Sequence, residues 1–323
     1  MIRFTMNIQR ICILGGTGFV GRHLVPKFAS QGMETLVLSR HPERYRHLAL
    51  NPGCRVETAD IFDKKQLQQK FQGCDAVVNL VGILNENRKL DFRRVHVELV
   101  DSITGSCRRA GVKRLLHMSA LNASATSGSS QYLRTKGEGE NRAHTGGKPE
   151  VAVTSFKPSV IFGADDSFIN RFAGLLNIPG PLPLACPNSK FAPVYIEDVC
   201  QAMANSLLDH KTFAQRYELC GPQTYSLIEI VRYISTLKGI NKRVFGLSNG
   251  LSQLQASILE KLPGQLFTTD NYQSLQQDSV CTDKDYNLSS LGVTATSMDS
   301  IVPAMLQQTS EKNRYLALRK ARP

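Results

Sequence analysis

Through the first 160 residues, short apolar runs alternate with segments whose apolar positions recur at helical spacing. The runs at Ile11–Leu14, Thr35–Ser39, Arg55–Ala59, Ala76–Val81, Arg114–Ser119 and Val151–Lys157 have the length of buried strands. Between them the pattern predicts helices over Phe19–Gln31, Lys64–Phe71, Phe92–Ala110 and Ser130–His144. Strands joined by helical crossovers pair in parallel, so the expected architecture is α/β, a Rossmann-type doubly wound parallel sheet. After Pro158 the alternation loosens. GLLNIPGPLPLACP, residues 174–187, reads as an irregular loop because Pro and Gly interrupt both periods, while helices are predicted over Ile196–Leu208, Leu227–Leu237 and Gly250–Leu262. The expected organisation is a dinucleotide-binding domain over 1–163. A smaller mixed C-terminal lobe follows over 164–323, with some segments returning to the first domain.

Composition narrows the class. A chain of 323 residues with 41% hydrophobic and 20% charged residues buries a substantial core and is neither disordered nor fibrous. The start, MIRFTMNIQRICILGG, puts a basic flank before an apolar run. Glycines break that run at once, so it reads as a first strand rather than a signal, with Met6 an alternative start. Eight cysteines show no CxxC spacing and no His at metal-ligand spacing. Several fall in apolar segments and read as buried free thiols of a reducing, cytoplasmic compartment, and no metal site is expected.

The positive residues behind the net charge of +12 are scattered, with their densest clusters at RHPERYR, 40–46, RKLDFRR, 88–94, and KNRYLALRKAR, 312–322. No helix-turn-helix, zinc-finger or RNA-binding signature accompanies them, so nucleic acid is not the expected partner. The last cluster reads as a solvated tail or, through Tyr315, Leu316 and Leu318, as a peripheral contact to a membrane surface.

The strongest motif is ILGGTGFVG at 13–21, where Gly15, Gly18 and Gly21, or Gly16, Gly18 and Gly21, have dinucleotide-fingerprint spacing around Thr17, Phe19 and Val20. It follows a predicted strand and opens a predicted helix, where backbone amides can approach a pyrophosphate. The bland alternative is a tight turn without a ligand. At the end of the second strand stand Ser39 and Arg40, with Arg44 and Arg46 following, where an NAD site would place an acid. A guanidinium suits a 2′-phosphate, so NADP(H) is the expected cofactor ahead of NAD(H). Asp60, with Ile61 beside it, ends the third strand as a candidate acceptor for adenine, and Leu80, Val81 and Gly82 would pass the adenine ribose. In SSQYLRTKGEGE, Tyr132 and Lys136 are four residues apart, one helical turn. They form either a proton-transfer pair or an ordinary piece of helix.

These pieces, in order, resemble the short-chain dehydrogenase/reductase superfamily, of the extended or atypical kind related to NAD-dependent epimerase/dehydratases. The matching stretches are GGTGFVG at 15–21, ADIFD at 59–63, NLVG at 79–82, HMSAL at 117–121, YLRTK at 132–136, FKPSVIFG at 156–163 and PVYIEDV at 193–199. More narrowly, they resemble the branch that contains the NADPH-binding accessory subunit of mitochondrial respiratory complex I. The resemblance implies Tyr132 as general acid/base, Lys136 as ribose ligand and electrostatic partner of the phenol, and Ser119 as the group that orients the substrate oxygen. It also implies that Lys157, Pro158 and Val160 pass the nicotinamide, and that Asp198 stabilises a loop. Where many members carry a relay Asn, this chain has His96, a relay substitute or a packing histidine.

Two functions follow from the resemblance. One is an NADP(H)-dependent oxidoreductase acting on a hydrophobic carbonyl or quinone-related substrate, with the apolar loop at 178–184 as a wall or merely a packing segment. The other is a non-catalytic NADPH-binding accessory or assembly protein of a respiratory or ubiquinone-synthesis complex, peripheral to the inner membrane.

Overall fold

A computed structural model describes residues 8–87 and 90–307. Met6, Arg88 and the basic segment 312–322 lie outside the described residues. The chain begins β1 (Arg10–Leu14), α1 (Phe19–Ser30), β2 (Glu34–Ser39), β3 (Cys54–Thr58), α2 (Lys64–Phe71), β4 (Ala76–Asn79), α3 (Leu99–Ala110), β5 (Arg114–Met118), α4 (Gln131–Gly147) and β6 (Ala152–Pro158). It continues β7 (Ile161–Phe162), α5 (Phe168–Leu175), β8 (Leu182–Leu184), β9 (Lys190–Phe191), β10 (Val194–Tyr195), α6 (Ile196–Leu208) and β11 (Arg216–Leu219). The last elements are β12 (Tyr225–Ser226), α7 (Leu227–Leu237), β13 (Val244–Gly246), α8 (Asn249–Leu259) and α9 (Thr269–Ser274).

Two compact units result, the first built from Met1–Pro158, Glu197–Leu219 and Cys281–Thr294, the second from Ser159–Ile196, Cys220–Val280 and Ala295–Pro323. The first holds a seven-stranded sheet in the order β11-β6-β5-β4-β1-β2-β3, parallel at every pairing. Strands β4 and β5 are buried from end to end because helices cover both faces, which is why they read as continuous apolar runs. On one face Leu14, Leu36, Val77, Leu115 and Val153 pack against Leu67 and Phe71 of α2 and Ile103 and Cys107 of α3. Each such side chain contributes about 1.5–3 kcal/mol of burial. Strand order reverses between β1 and β4, so the crevice beyond their carboxyl ends is the place where sheets of this kind bind ligands.

Strand β11 was not anticipated. Its four residues, RYEL, carry the half-exposed alternation of an edge strand and are too few to register as a period. In the second unit, α5 and α7 share a core with Phe162, Phe191 and Met298. Residues 174–187, expected to be irregular, contain β8, which pairs in parallel with β13. Six cysteines are buried free thiols as expected, whereas Cys220 and Cys281 are disulfide-bonded, a state no short Cys spacing signalled. No described helix is long and apolar enough to cross a membrane.

Candidate active site

The loop between β1 and α1 is shaped by what a Cβ would strike. Gly15 has φ +76°, and a Cβ there would lie 3.0 Å from the Leu80 carbonyl carbon, so the loop runs directly against the end of β4. A Cβ at Gly21 would come within 2.3 Å of the Gly16 Cα, so helix and turn close on each other only as glycines. Gly18 donates its N–H to the Gly15 carbonyl at 2.9 Å and starts α1 with no side-chain cap and no acidic residue in the first turn. That leaves backbone donors and the positive helix end available to an anion. Thr17, Phe19 and Val20 fill the remaining loop and first-turn positions.

At the end of β2 the Ser39 hydroxyl accepts the His41 N–H at 3.1 Å and is nearly buried, so it shapes the turn. Arg40 is exposed, and among the described residues neither it nor Arg44 nor Arg46 enters an ion pair. Beyond β3, Asp60 accepts the Phe62 N–H through one carboxylate oxygen at 3.0 Å, with Ile61 between them packed against the core. Past β4, Leu80 donates to the Leu14 carbonyl and Val81 to the Asn79 side chain. The alpha carbon of Gly82 faces both His96 and Lys136, with an added Cβ 3.7 Å from His96 Nε2 and 3.8 Å from Lys136 Nζ.

Ser130 caps α4 by accepting the Leu133 N–H, and α4 then carries Tyr132 and Lys136 on adjacent turns. Lys136 is 5% exposed and donates to the Met118 carbonyl, the last of β5, at 2.5 Å. Burial lowers its pKa from 10.5 to about 8, against the opposing pull of Glu140 one turn later. Ser119, next to Met118 along the chain, is 3% exposed, and its Oγ has no hydrogen-bond partner among the described residues. A buried hydroxyl left so is costly, and a ligand oxygen is one way to satisfy it. The Tyr132 ring packs edge-on against His96 and Phe92, with centroids 5.6 and 6.0 Å apart.

His96 sits in a π-helical turn, Arg94–Glu98, that interrupts the helix predicted over Phe92–Ala110. Both ring nitrogens are engaged. Nε2 accepts the Ile83 N–H at 3.2 Å, and Nδ1 lies 3.0 Å from Thr135 Oγ1, whose own proton goes to the Gln131 carbonyl. Burial and the Lys136 charge hold its pKa near 3, so it is neutral. The packing reading fits this geometry better than a water relay.

The contacts therefore link the Gly15 loop to Leu80 and Val81, Gly82 to His96 and Lys136, and Lys136 to the strand end that carries Ser119. Lys157 and Pro158 end β6 on the same sheet edge. Val160 belongs to the second unit and packs on its core. Asp198 is buried near the start of α6. Three features escaped the sequence. A Cβ at Gly139 would fall 1.8 Å from the His96 carbonyl, and one at Gly137 would fall 2.5 Å from Ser124. These glycines let the π turn and the preceding loop press on α4. Glu140 is buried in an ion pair at 2.5 Å with Arg216 of β11, a partner distant in sequence. The KGEGE stretch carried the only local signal, two glycines inside a helix where each is unfavourable.

Residues 11–218 match the family model described as "NAD dependent epimerase/dehydratase family". A mouse mitochondrial protein, NADH dehydrogenase (ubiquinone) 1 alpha subcomplex subunit 9, is 33% identical over 239 residues, 72% of this chain. The ceramide reductase of Caulobacter vibrioides is 28% identical over 192 residues, 58% of this chain. The chain spans 61% and 57% of those two proteins. An NADPH-dependent quinone oxidoreductase from Escherichia coli, solved with NADPH, superposes with a TM-score of 0.73 at 17% identity over 92% of this chain and 99% of that one, a likeness of fold.

Proposed function

The chain belongs to the NAD-dependent epimerase/dehydratase family, and from that premise we propose that it is an oxidoreductase using NADPH in preference to NADH on a hydrophobic carbonyl or quinone-related substrate. The observation that carries this reading is a buried ammonium, Lys136, with one protein acceptor, set beside a buried hydroxyl, Ser119, with none. Around them the residues fit a dinucleotide. The Gly15–Gly21 turn and the uncapped start of α1 would hold the pyrophosphate, with Leu80, Val81 and Gly82 beside the adenosine half. Asp60 would meet the adenine, and the exposed Arg40 a 2′-phosphate. Lys136 would hold the nicotinamide ribose, flanked by Lys157, Pro158 and Val160.

When bound, the nicotinamide gives or takes a hydride. The chain supplies the rest. Ser119 Oγ donates to the substrate oxygen, Tyr132 delivers the proton that oxygen needs on reduction, and the adjacent ammonium favours the phenolate left behind. His96, neutral and doubly hydrogen-bonded, holds the Tyr132 ring.

The likeness to a respiratory-complex subunit supports a second reading, an NADPH-binding accessory protein docked on such a complex without turnover. One comparison separates the two. NADPH consumption with quinones and hydrophobic ketones should fall about 10²–10⁴-fold in Tyr132→Phe, while NADPH still raises the melting temperature of both proteins. Stabilisation by NADPH without turnover in either protein favours the accessory role, and no stabilisation by NADPH or NADH refutes the cofactor itself.

A further inference from the structure

Among the described residues, six of the twelve exposed large hydrophobic side chains fall within one stretch of the second unit: Phe245, Leu251, Leu254, Ile258, Leu262 and Leu266. Leu251, Leu254 and Ile258 follow i, i+3, i+7 along α8 and so form one stripe, exposed 53%, 55% and 55%. The fully buried residues of α8 are Ser252 and Ala256, with Leu259 half-buried on the same side. The most buried positions of the helix are small and three of its four large aliphatic side chains point outward, the reverse of an ordinary amphipathic helix.

Its seating is specific. Ser252 Oγ accepts the Cys186 N–H at 3.2 Å, and Gln255 donates to the Pro183 carbonyl at 3.3 Å, which fixes α8 against β8. Strand β13 pairs with β8 so that Phe245 lies opposite Pro183, which brings its 39% exposed ring into the same region. The outward stripe is therefore not a frayed end turned to solvent.

Charge identifies what covers it. Helix α8 contains no charged residue. Its flanks are basic, with Lys242 and Arg243 just before β13 and Lys261 just after α8. Lys242 caps α5 by donating to the Leu175 and Leu176 carbonyls, each at 3.2 Å, and to that of Ile178. Between 239 and 268 the sole acid is Glu260, which is occupied by the backbone and hydroxyl of Thr269. Cores of protein interfaces favour Tyr, Trp, Phe, Met and Arg anchors, and the α8 stripe itself has none of them, Phe245 and Arg243 standing only at its rim. An uncharged aliphatic ridge between basic ends matches acyl chains below and lipid phosphates beside.

We infer that α8, rimmed by Phe245, Arg243, Lys261 and Leu262, is the surface by which this unit lies on an anionic lipid bilayer. At about 16 Å for 11 residues the helix rests in the interface plane and does not cross it. The inference does not depend on whether Tyr132 supports turnover.

The test uses the full chain and flotation with phosphatidylcholine vesicles, with and without phosphatidylglycerol. Wild type should float with the anionic vesicles. The pair Leu254→Asp and Ile258→Asp should lower partitioning by about tenfold or more, and the pair Arg243→Glu and Lys261→Glu by a similar factor with a flatter salt dependence. These side chains are exposed, so melting temperatures should stay within a degree or two, roughly, of wild type. Unchanged flotation of the Leu254/Ile258 variant overturns the inference, because the binding would then lie elsewhere in the chain. Equal binding to neutral vesicles overturns the anionic source. Wild type that ignores vesicles but forms a dimer abolished by the same substitutions shows a self-association face, which also overturns it.

Discussion

Strand β5 has a buried cation at each end, and the two are built in opposite ways. At its start, Arg114 is fully buried and saturated. It donates to the carbonyls of Ala152, Ser206 and Leu207 and to the hydroxyls of Thr154 and Thr212 at 2.8–3.2 Å, with its guanidinium 4.7 Å from the Phe213 ring. Two of those carbonyls end α6, where the helix dipole is negative. At the other end, Lys136 makes one hydrogen bond, to Met118, beside an unpartnered Ser119 hydroxyl. Both charges are dehydrated, and burial lowers both pKa values, that of Arg114 from 12.5 to about 9, but only the first has its donors taken up by the protein. A saturated buried cation holds architecture, whereas an undersaturated one leaves bonding capacity for something that arrives later.

The sharpest way to break the comparison is to remove the saturated cation. Arg114→Met takes a donor away from three carbonyls and two hydroxyls in the interior, although Thr154 and Thr212 keep their own hydrogen bonds to the Thr212, Ser206 and Asp209 carbonyls, and should cost about 3–5 kcal/mol of unfolding free energy in denaturant titrations. NADPH affinity of the folded protein should stay within about twofold, since the substitution lies at the opposite end of the strand from the candidate site. A loss under about 1 kcal/mol would make Arg114 as dispensable as a surface cation and erase the contrast.

For Lys136 the prediction carries a pH signature. Its pKa is about 8 in the folded chain and 10.5 when unperturbed, so between those values the unfolded chain binds more protons and stability rises with pH. Below 8 both states are protonated, and the full burial penalty stands. Relative to Lys136→Met, the ligand-free wild type should therefore gain about 3 kcal/mol between neutral pH and pH 10.5. A difference that is flat with pH would mean that Lys136 is solvated or compensated after all. The measurement needs no substrate, so it tests the site independently of turnover.

What the sequence made legible follows from locality. The glycine spacing, the Tyr132–Lys136 turn and the strand ends at Ser39, Asp60 and Ser119 are each set by a few neighbouring residues and by the periods of strand and helix. What stayed hidden depends on partners distant in sequence. Arg216 of β11 reaches Glu140 of α4, and β11 itself is a four-residue edge. The π turn around His96 brings its carbonyl so close to Gly139 of another helix that only a glycine leaves room for it. Periodicity located α8 within a few residues, yet could not say that Ser252 and Ala256 face inward and Leu251, Leu254 and Ile258 outward. Patterning alone assigns the larger apolar residues to the core.

A third cation, Arg40, extends the comparison to the surface. It stands exposed just past β2 with no ion-pair partner among the described residues, so it neither supports the fold nor suffers burial. Such a charge acts only on what docks beside it, and in the proposed cofactor site that would be the adenosine ribose. Arg40→Asp reverses the charge facing a 2′-phosphate. It should weaken NADPH binding by about tenfold to a hundredfold in fluorescence titrations, while NADH binding changes by less than about threefold. Unfolding free energy should move by less than about 0.5 kcal/mol. Added salt should narrow the gap between the two cofactors in the wild type, because this interaction lies in solvent where screening is strong. An equal loss for NADPH and NADH would place Arg40 among ordinary surface charges and leave the cofactor preference to be carried by Arg44 or Arg46.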